Sequence, residues 1–279
     1  MSPSLQTVQA FNDSYKFSSS PTSIPTAVFI GGNARIILVG RKKAAAEEII
    51  TVFPKPSNKD LWQIEHESVQ CDAMLMKDIK RVITDLVVGL PEINYLVLTV
   101  GIYSVSPWDP TLKGINKMLA VHYYARWKLT FDLLPLLHKA KSQQEDANVF
   151  SLLACGRSRP IGSYRRGPTY YDLALRYVGV AIRNPSITFF HADPGIVLTN
   201  LANNSLSPLL SIFAPIISVV MYPFSMSPAE SGEHLLYGML AHPNESVSSK
   251  GQYLKREGYI GGKMEREKLW EYTEKVVNV

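Results

Sequence analysis

The sequence has only two cysteines, Cys71 and Cys155, far apart and outside any Cys-x-x-Cys pair. That argues against a disulfide framework and a zinc ribbon, and it fits a reducing compartment. Charge is also sparse: 19% of residues are charged, and Lys+Arg 29 against Asp+Glu 24 leaves a net charge of +5. The basic residues fall in short clusters such as Arg41-Lys42-Lys43 and Arg165-Arg166. Without a concentrated basic footprint, no nucleic acid is expected as a partner. Residues 1–25 lack a basic start followed by an apolar run, so no secretory signal is read. The expected location is therefore cytoplasmic, and the sequons at Asn12, Asn203 and Asn244 read as chance matches. Gly-x-Ser-x-Gly and Walker motifs are missing, as are internal repeats, and His191-Ala-Asp193 alone is too little to hold a metal.

What is present is enough apolar residue, 46% of 279, for one sizeable core. Residues 1–25 read as an irregular arm with one amphipathic turn around Leu5, Val8 and Phe11, and 26–279 as a single domain. Apolar runs at 26–30, 34–39, 68–71, 93–100, 148–154 and 186–192 read as strands. They alternate with helical patterns at 42–52, 74–88, 115–139 and 170–183, the rhythm of a mostly parallel sheet covered by helices. Ala44, Ala45, Ile49 and Ile50 offer 42–52 a buried face; Pro135 kinks or divides 115–139. Ser227-Pro-Ala-Glu230 is a capping box for a helix to about Leu240. A last strand near Tyr259 and Ile260 and a C-terminal helix through Leu269, Trp270 and Val276 complete the pattern.

The segment 205–226 departs from that rhythm. Its stretch 208–224 is apolar nearly all round and carries Pro215 and Pro223. It is at the lower limit of a spanning length, so it reads as a lid over an apolar substrate or a lip in peripheral contact with a membrane surface, with plain core packing the alternative.

Six short motifs occur in a telling order: Ala27-Val-Phe-Ile-Gly-Gly32, Leu38-Val-Gly-Arg41, Cys71-Asp-Ala73, Leu96-Val-Leu-Thr-Val-Gly101, Leu133-Leu-Pro-Leu-Leu137 and Pro194-Gly-Ile-Val-Leu-Thr199. In this order the chain resembles the short-chain dehydrogenases/reductases, especially their retinol- and steroid-dehydrogenase-like branch. The resemblance implies an α/β, Rossmann-like three-layer sandwich, an NAD(P) cofactor, an apolar alcohol or carbonyl substrate and a homodimer.

The resemblance also implies roles for residues. Gly31 and Gly32 begin the phosphate turn. Arg41 stands where the family meets the adenosine 2′-phosphate with a basic fork, favouring NADP over NAD. Asp72 stands where an acid accepts from the adenine amino group, and would serve equally as a helix cap. Gly101 closes the fourth strand beside the cofactor, and Pro194, Gly195 and Thr199 wrap the nicotinamide. Tyr170 and Tyr171 are both candidates for the proton donor, and His122 lies near the family's Asn, where it is either a proton relay or a packed histidine.

Three departures set limits. Gly31-Gly32 runs through Asn33 directly into Ala34, so the third glycine and the first crossover helix, whose N-terminus holds the pyrophosphate, are missing. Because a parallel neighbour ordinarily needs about a dozen connecting residues, 26–39 is expected to pair as a β-hairpin or form one bent segment. The serine positions hold Leu153 and Ala154, with Ser151 earlier and Ser158 later; four residues on from the tyrosines stand Ala174 and Leu175 in place of lysine, with Arg176 one residue out of register. Without that lysine a phenol of pKa about 10 is a poor base at neutral pH. Losing two or three charge-assisted bonds to the pyrophosphate would weaken cofactor binding by roughly two to four decades. The expected function is an NAD(P)-dependent oxidoreductase of reduced competence. The alternative is a catalytically inactive relative kept for binding or scaffolding, or the product of a gene that lost a segment after Gly32.

Overall fold

The computed structural model describes residues 4–14, 26–28, 35–53, 65–102, 109–153, 184, 186–193, 197, 215–216, 219–220, 222–241, 246–248, 253–254 and 263–277. Its strands are β1 (Thr26–Val28), β2 (Arg35–Gly40), β3 (Glu67–Gln70), β4 (Tyr95–Leu98), β5 (Asn148–Leu152), β6 (Thr188–Asp193), β7 (Ser246–Ser248) and β8 (Tyr253–Leu254). They form one sheet in the order β3-β2-β1-β4-β5-β6-β7-β8, parallel except for the final β7–β8 pair. β7 and β8 were not read from the sequence, and the strand expected near Tyr259 lies outside the described residues.

The hairpin expectation for 26–39 is overturned. β1 and β2 are parallel, with Thr26 opposite Arg35 and Ala27 opposite Ile36. The dozen-residue rule assumes full-length strands, whereas the paired part of β1 is three residues long. The chain must return only about 7 Å along the strand direction, and the six residues 29–34 can reach roughly 20 Å. Six residues still leave no room for a crossover helix.

Side chains alternate between two layers, as a sheet covered on both faces requires. Leu96, Leu98, Val149 and Phe189 join the main core with α3 (Met76–Gly89), α5 (Ala125–Asp132), α6 (Leu134–Ser142) and the C-terminal helix α8 (Lys263–Val277). Phe150, Leu152, Phe190 and Ala192 face the other way, onto Leu235 and Met239 of α7 (Pro228–Ala241). The capping box forms as read: the Glu230 amide donates to Ser227 Oγ at 3.1 Å. The stretch read as one helix over 115–139 begins as α4 (Lys117–Leu119), passes through a π-turn at Ala120–Tyr124 into α5, and breaks at Leu133, with Pro135 in the first turn of α6.

Two helices differ from expectation. The arm contains a ten-residue helix, α1 (Leu5–Ser14), docked on α7 through the fully buried Val8, an edge-to-face contact of Phe11 with Tyr237, and Asn12 Nδ2 donating to the Glu233 carboxylate and carbonyl. α2 (Lys43–Thr51) buries no residue; Ala44 and Ala45 are exposed, and Ile49 is 45% exposed. Successive right-handed crossovers lie on the same face, so the missing first helix would have been the neighbour of α2.

Candidate functional site

The strand order reverses at β1, flanked by β2 and β4. Ligands of open α/β sheets bind at that switch point, beyond the carboxyl ends of the strands. A cavity of about 320 Å³ lies there, lined among others by Gly40, Arg41, Asp72, Ala73, Gly101 and Ile102, with Ala45, Ala46 and Ile49 of α2 along its wall. Arg41 and Asp72 also border a polar hollow that includes Gln70, Asp78 and Arg81. Of the sequence-predicted residues, Arg41, Asp72, Gly101 and His122 are thus brought to one end of the sheet. Gly31, Gly32, Tyr170, Tyr171, Pro194, Gly195 and Thr199 lie outside the described residues, as do the 154–183 candidates and most of 205–226.

Arg41 is exposed and makes no ion pair among the described residues. Its carbonyl accepts from Gln70 Nε2 at 3.2 Å, and the Gln70 carbonyl accepts from Arg81 at 2.5 Å, which ties down the turn that presents the guanidinium. Asp72 Oδ1 accepts from the Met74 amide at 3.0 Å. It closes the turn ahead of α3; the helix N-cap itself is Leu75, with no side-chain cap. The Cys71 thiol beside it is pushed up to about 11 by burial first and then by Asp78, so it is protonated at neutral pH. A Cβ built on Gly101 would meet nothing closer than His122 Nε2 at 3.7 Å, an ordinary contact.

His122 lies in the π-turn and is 4% exposed. An extra residue in a helical turn re-aims side chains, and such turns recur at functional sites. Nε2 of His122 accepts from the Ile102 amide at 3.2 Å. Burial, and after it the charge of Arg126, push its pKa down to about 4, so it is neutral at pH 7.

Sequence reasoning missed Arg126, which is fully buried on α5. One terminal nitrogen donates to the Leu98 carbonyl and to Ser151 Oγ, each at 2.7 Å; the other donates to the Val100 and Leu152 carbonyls at 2.5 and 2.8 Å. The guanidinium therefore pins the carboxyl ends of β4 and β5 side by side. Ser151 is wholly buried and held by that arginine, so it does not replace the missing serine, and Leu153 at the strand end is a buried apolar residue. The available signal was an arginine four residues after His122 and three before Leu129, in a stretch otherwise nearly apolar.

Among the described residues no helix is long and apolar enough to cross a membrane. Within 205–226, Ile216, Val219, Val220 and Tyr222 are exposed.

No family model matches the chain. Among curated proteins it is similar to an oxidoreductase of Emericella nidulans, 24% identical over 86% of this chain and 78% of that protein, and to the oxidoreductase andH of Emericella variicolor, 26% identical over 84% and 74%. Among solved structures it is similar to a short-chain dehydrogenase from Streptomyces avermitilis, with TM-score 0.56 and 15% identity over 87% of this chain and 84% of that one. It is likewise similar to a 7α-hydroxysteroid dehydrogenase solved with NADH and 7-oxo glycochenodeoxycholic acid, at 0.56 and 12% over 80% and 86%. A third neighbour is an alcohol dehydrogenase from Thermococcus sibiricus solved with 5-hydroxy-NADP, at 0.53 and 16% over 80% and 89%.

Proposed function

The chain has the fold of the short-chain dehydrogenases/reductases, and from that premise we propose that it is an NADP-preferring oxidoreductase of reduced competence acting on an apolar alcohol or carbonyl compound. The observation that carries this reading is the cavity at the switch point, with Arg41, a guanidinium that makes no ion pair among the described residues, at the adenosine end and Gly101 at the other. The described residues fit the adenosine half of a dinucleotide, and a fork of donors at Arg41 suits a 2′-phosphate. The oxidoreductase relatives, and neighbours carrying 5-hydroxy-NADP or NADH, support a nicotinamide cofactor. When bound, that cofactor supplies or takes the hydride; Tyr170 is assigned the proton on the substrate oxygen, with Gly31, Gly32, Pro194, Gly195 and Thr199 beside the cofactor. An apolar substrate is supported by the absence of any charged side chain from 194 to 229 and by the exposed Ile216, Val219 and Val220, a surface equally suited to touching a membrane. A homodimer belongs to the same reading by family analogy.

With only 29–34 between β1 and β2, the pyrophosphate lacks a helix N-terminus, and affinity is expected around millimolar instead of micromolar. The test is calorimetric titration with NADPH and NADH, followed by turnover on ketones and retinoid-like aldehydes. NADPH should bind more tightly than NADH, Arg41→Ala should erase most of that difference, and Tyr170→Phe should abolish turnover. No binding up to several millimolar of either cofactor would sink the enzyme. The second reading, a non-catalytic binding protein, would then stand; it is favoured by Leu153 and the Arg126-bound Ser151 at the strand end where a free hydroxyl is needed.

A further inference from the structure

We propose that His122 is a hydrogen-bond donor and not a proton relay: fixed as the neutral Nδ1–H tautomer by the Ile102 amide, it offers that N–H to the carbonyl oxygen of the substrate at the end of β4. The inference rests on the oxidoreductase reading and supplies the polarising group that the sequence had lost.

The tautomer follows from one bond. A backbone N–H can only donate, so Nε2, which receives it, must present its lone pair, and in a neutral imidazole the proton then sits on Nδ1. Burial and the neighbouring Arg126 charge remove the alternative, a doubly protonated ring that would have to break the Ile102 bond. A ring in this state has one donor and no free lone pair, which makes it unfit to carry protons in both directions. It is well suited to polarising a carbonyl, because neutral imidazole binds a developing oxyanion without first giving up its proton.

The position fits the task. His122 is not itself one of the residues lining the cavity at the switch point, but Val121 before it, and Gly101 and Ile102 against it, all line it. Among the described residues no protein group meets Nδ1, and that nitrogen is not one of the buried atoms left without a partner. The hydroxyl that would otherwise meet a substrate oxygen is absent at Leu153 and engaged at Ser151. The π-turn gives His122 its direction, and Arg126, by holding the Leu98 and Val100 carbonyls, steadies the chain leaving β4, two residues before the Ile102 amide that anchors the ring.

The test uses the full chain labelled with nitrogen-15 and carbon-13 at its six histidines, His122 being assigned from the resonance lost in His122→Asn. The expected spectrum at pH 7 shows Nδ1 pyrrole-like and Nε2 pyridine-like. Titration with acetophenone labelled at the carbonyl carbon should move the Nδ1–H resonance and shift the carbonyl downfield, and His122→Phe should remove that carbonyl shift. In turnover, His122→Phe should lower kcat on the order of 10²-fold, with partial recovery in His122→Asn, whose amide can still donate. An Nε2–H tautomer, an acetophenone titration that leaves Nδ1 unmoved up to the solubility limit, or an unchanged kcat in His122→Phe each overturns the proposal. A failed NADPH titration combined with a moving Nδ1 would instead keep the carbonyl donor and discard the oxidoreductase.

Discussion

α2 and α3 are both plain amphipathic helices in the sequence, α2 joining the neighbouring strands β2 and β3 and α3 leading from β3 across the sheet to β4, and they meet opposite fates. α3 buries Met76, Ile79, Val82, Ile83 and Leu86 in the main core. α2 buries nothing, and Val52 at its end is 76% exposed. Periodicity shows that a helix has an apolar face; it does not show that the rest of the fold supplies a surface to cover it. On the α3 side, α5 and α6 supply that surface. On the α2 side the neighbour would have been the crossover helix for which the six residues after Val28 have no length.

The sharpest way to break the comparison is to truncate matching residues. Ile79→Ala should cost about 2–5 kcal/mol by urea denaturation, whereas Ile49→Ala should stay within about 0.5 kcal/mol. Equal losses would mean that α2 is covered in solution.

The closed layer also has a weakness, at its amino-terminal edge. Glu92 is 5% exposed, and burial first, then the Glu145 carboxylate, raise its pKa. An acid whose folded pKa lies above its unfolded value binds more protons folded than unfolded in that interval. Stability therefore falls as pH rises from the ordinary glutamate value through the raised one. Glu92→Gln should raise stability at pH 7 by about 0.5–2 kcal/mol, an advantage that shrinks as pH approaches the ordinary glutamate pKa. A thermal-shift series across pH measures it, and a gain independent of pH would exclude the carboxylate pair as its source.

The smallest effect is on the open side. The double change Ile49→Gln and Val52→Gln should leave the denaturation midpoint nearly unmoved while lowering binding of an apolar dye. A clear loss of stability would show that these side chains are packed.

The strands from Arg35 onward were readable because a sheet covered on both faces demands unbroken apolar runs, and Asn148–Leu152 and Thr188–Asp193 have them. The capping box at Ser227 and the break near Pro135 were readable because each is fixed by local chemistry. The parallel pairing of β1 and β2 was not, since it depends on how few residues of β1 actually pair, a quantity that composition does not carry. At the site, Arg41, Asp72 and Gly101 were singled out through ordered motifs and His122 through its place near the resembling family's Asn. Arg126 was not, because its meaning lies in four acceptors, three in β4 and β5 and one at Val100 just beyond β4, between 25 and 28 positions away. The tautomer of His122 depends on a single amide from Ile102, which no spacing reveals.

The docking of α1 on α7 has a consequence for the order in which the molecule assembles. Asn12 and Glu233 are 221 positions apart, and a ten-residue helix is too short to hold its shape alone in water. α1 can thus become a helix only once α7 is seated on β5 and β6, which places it among the last segments to fold. The same dependence makes it the first to open, and backbone amides of Val8 to Phe11 should exchange with solvent well before those of α3.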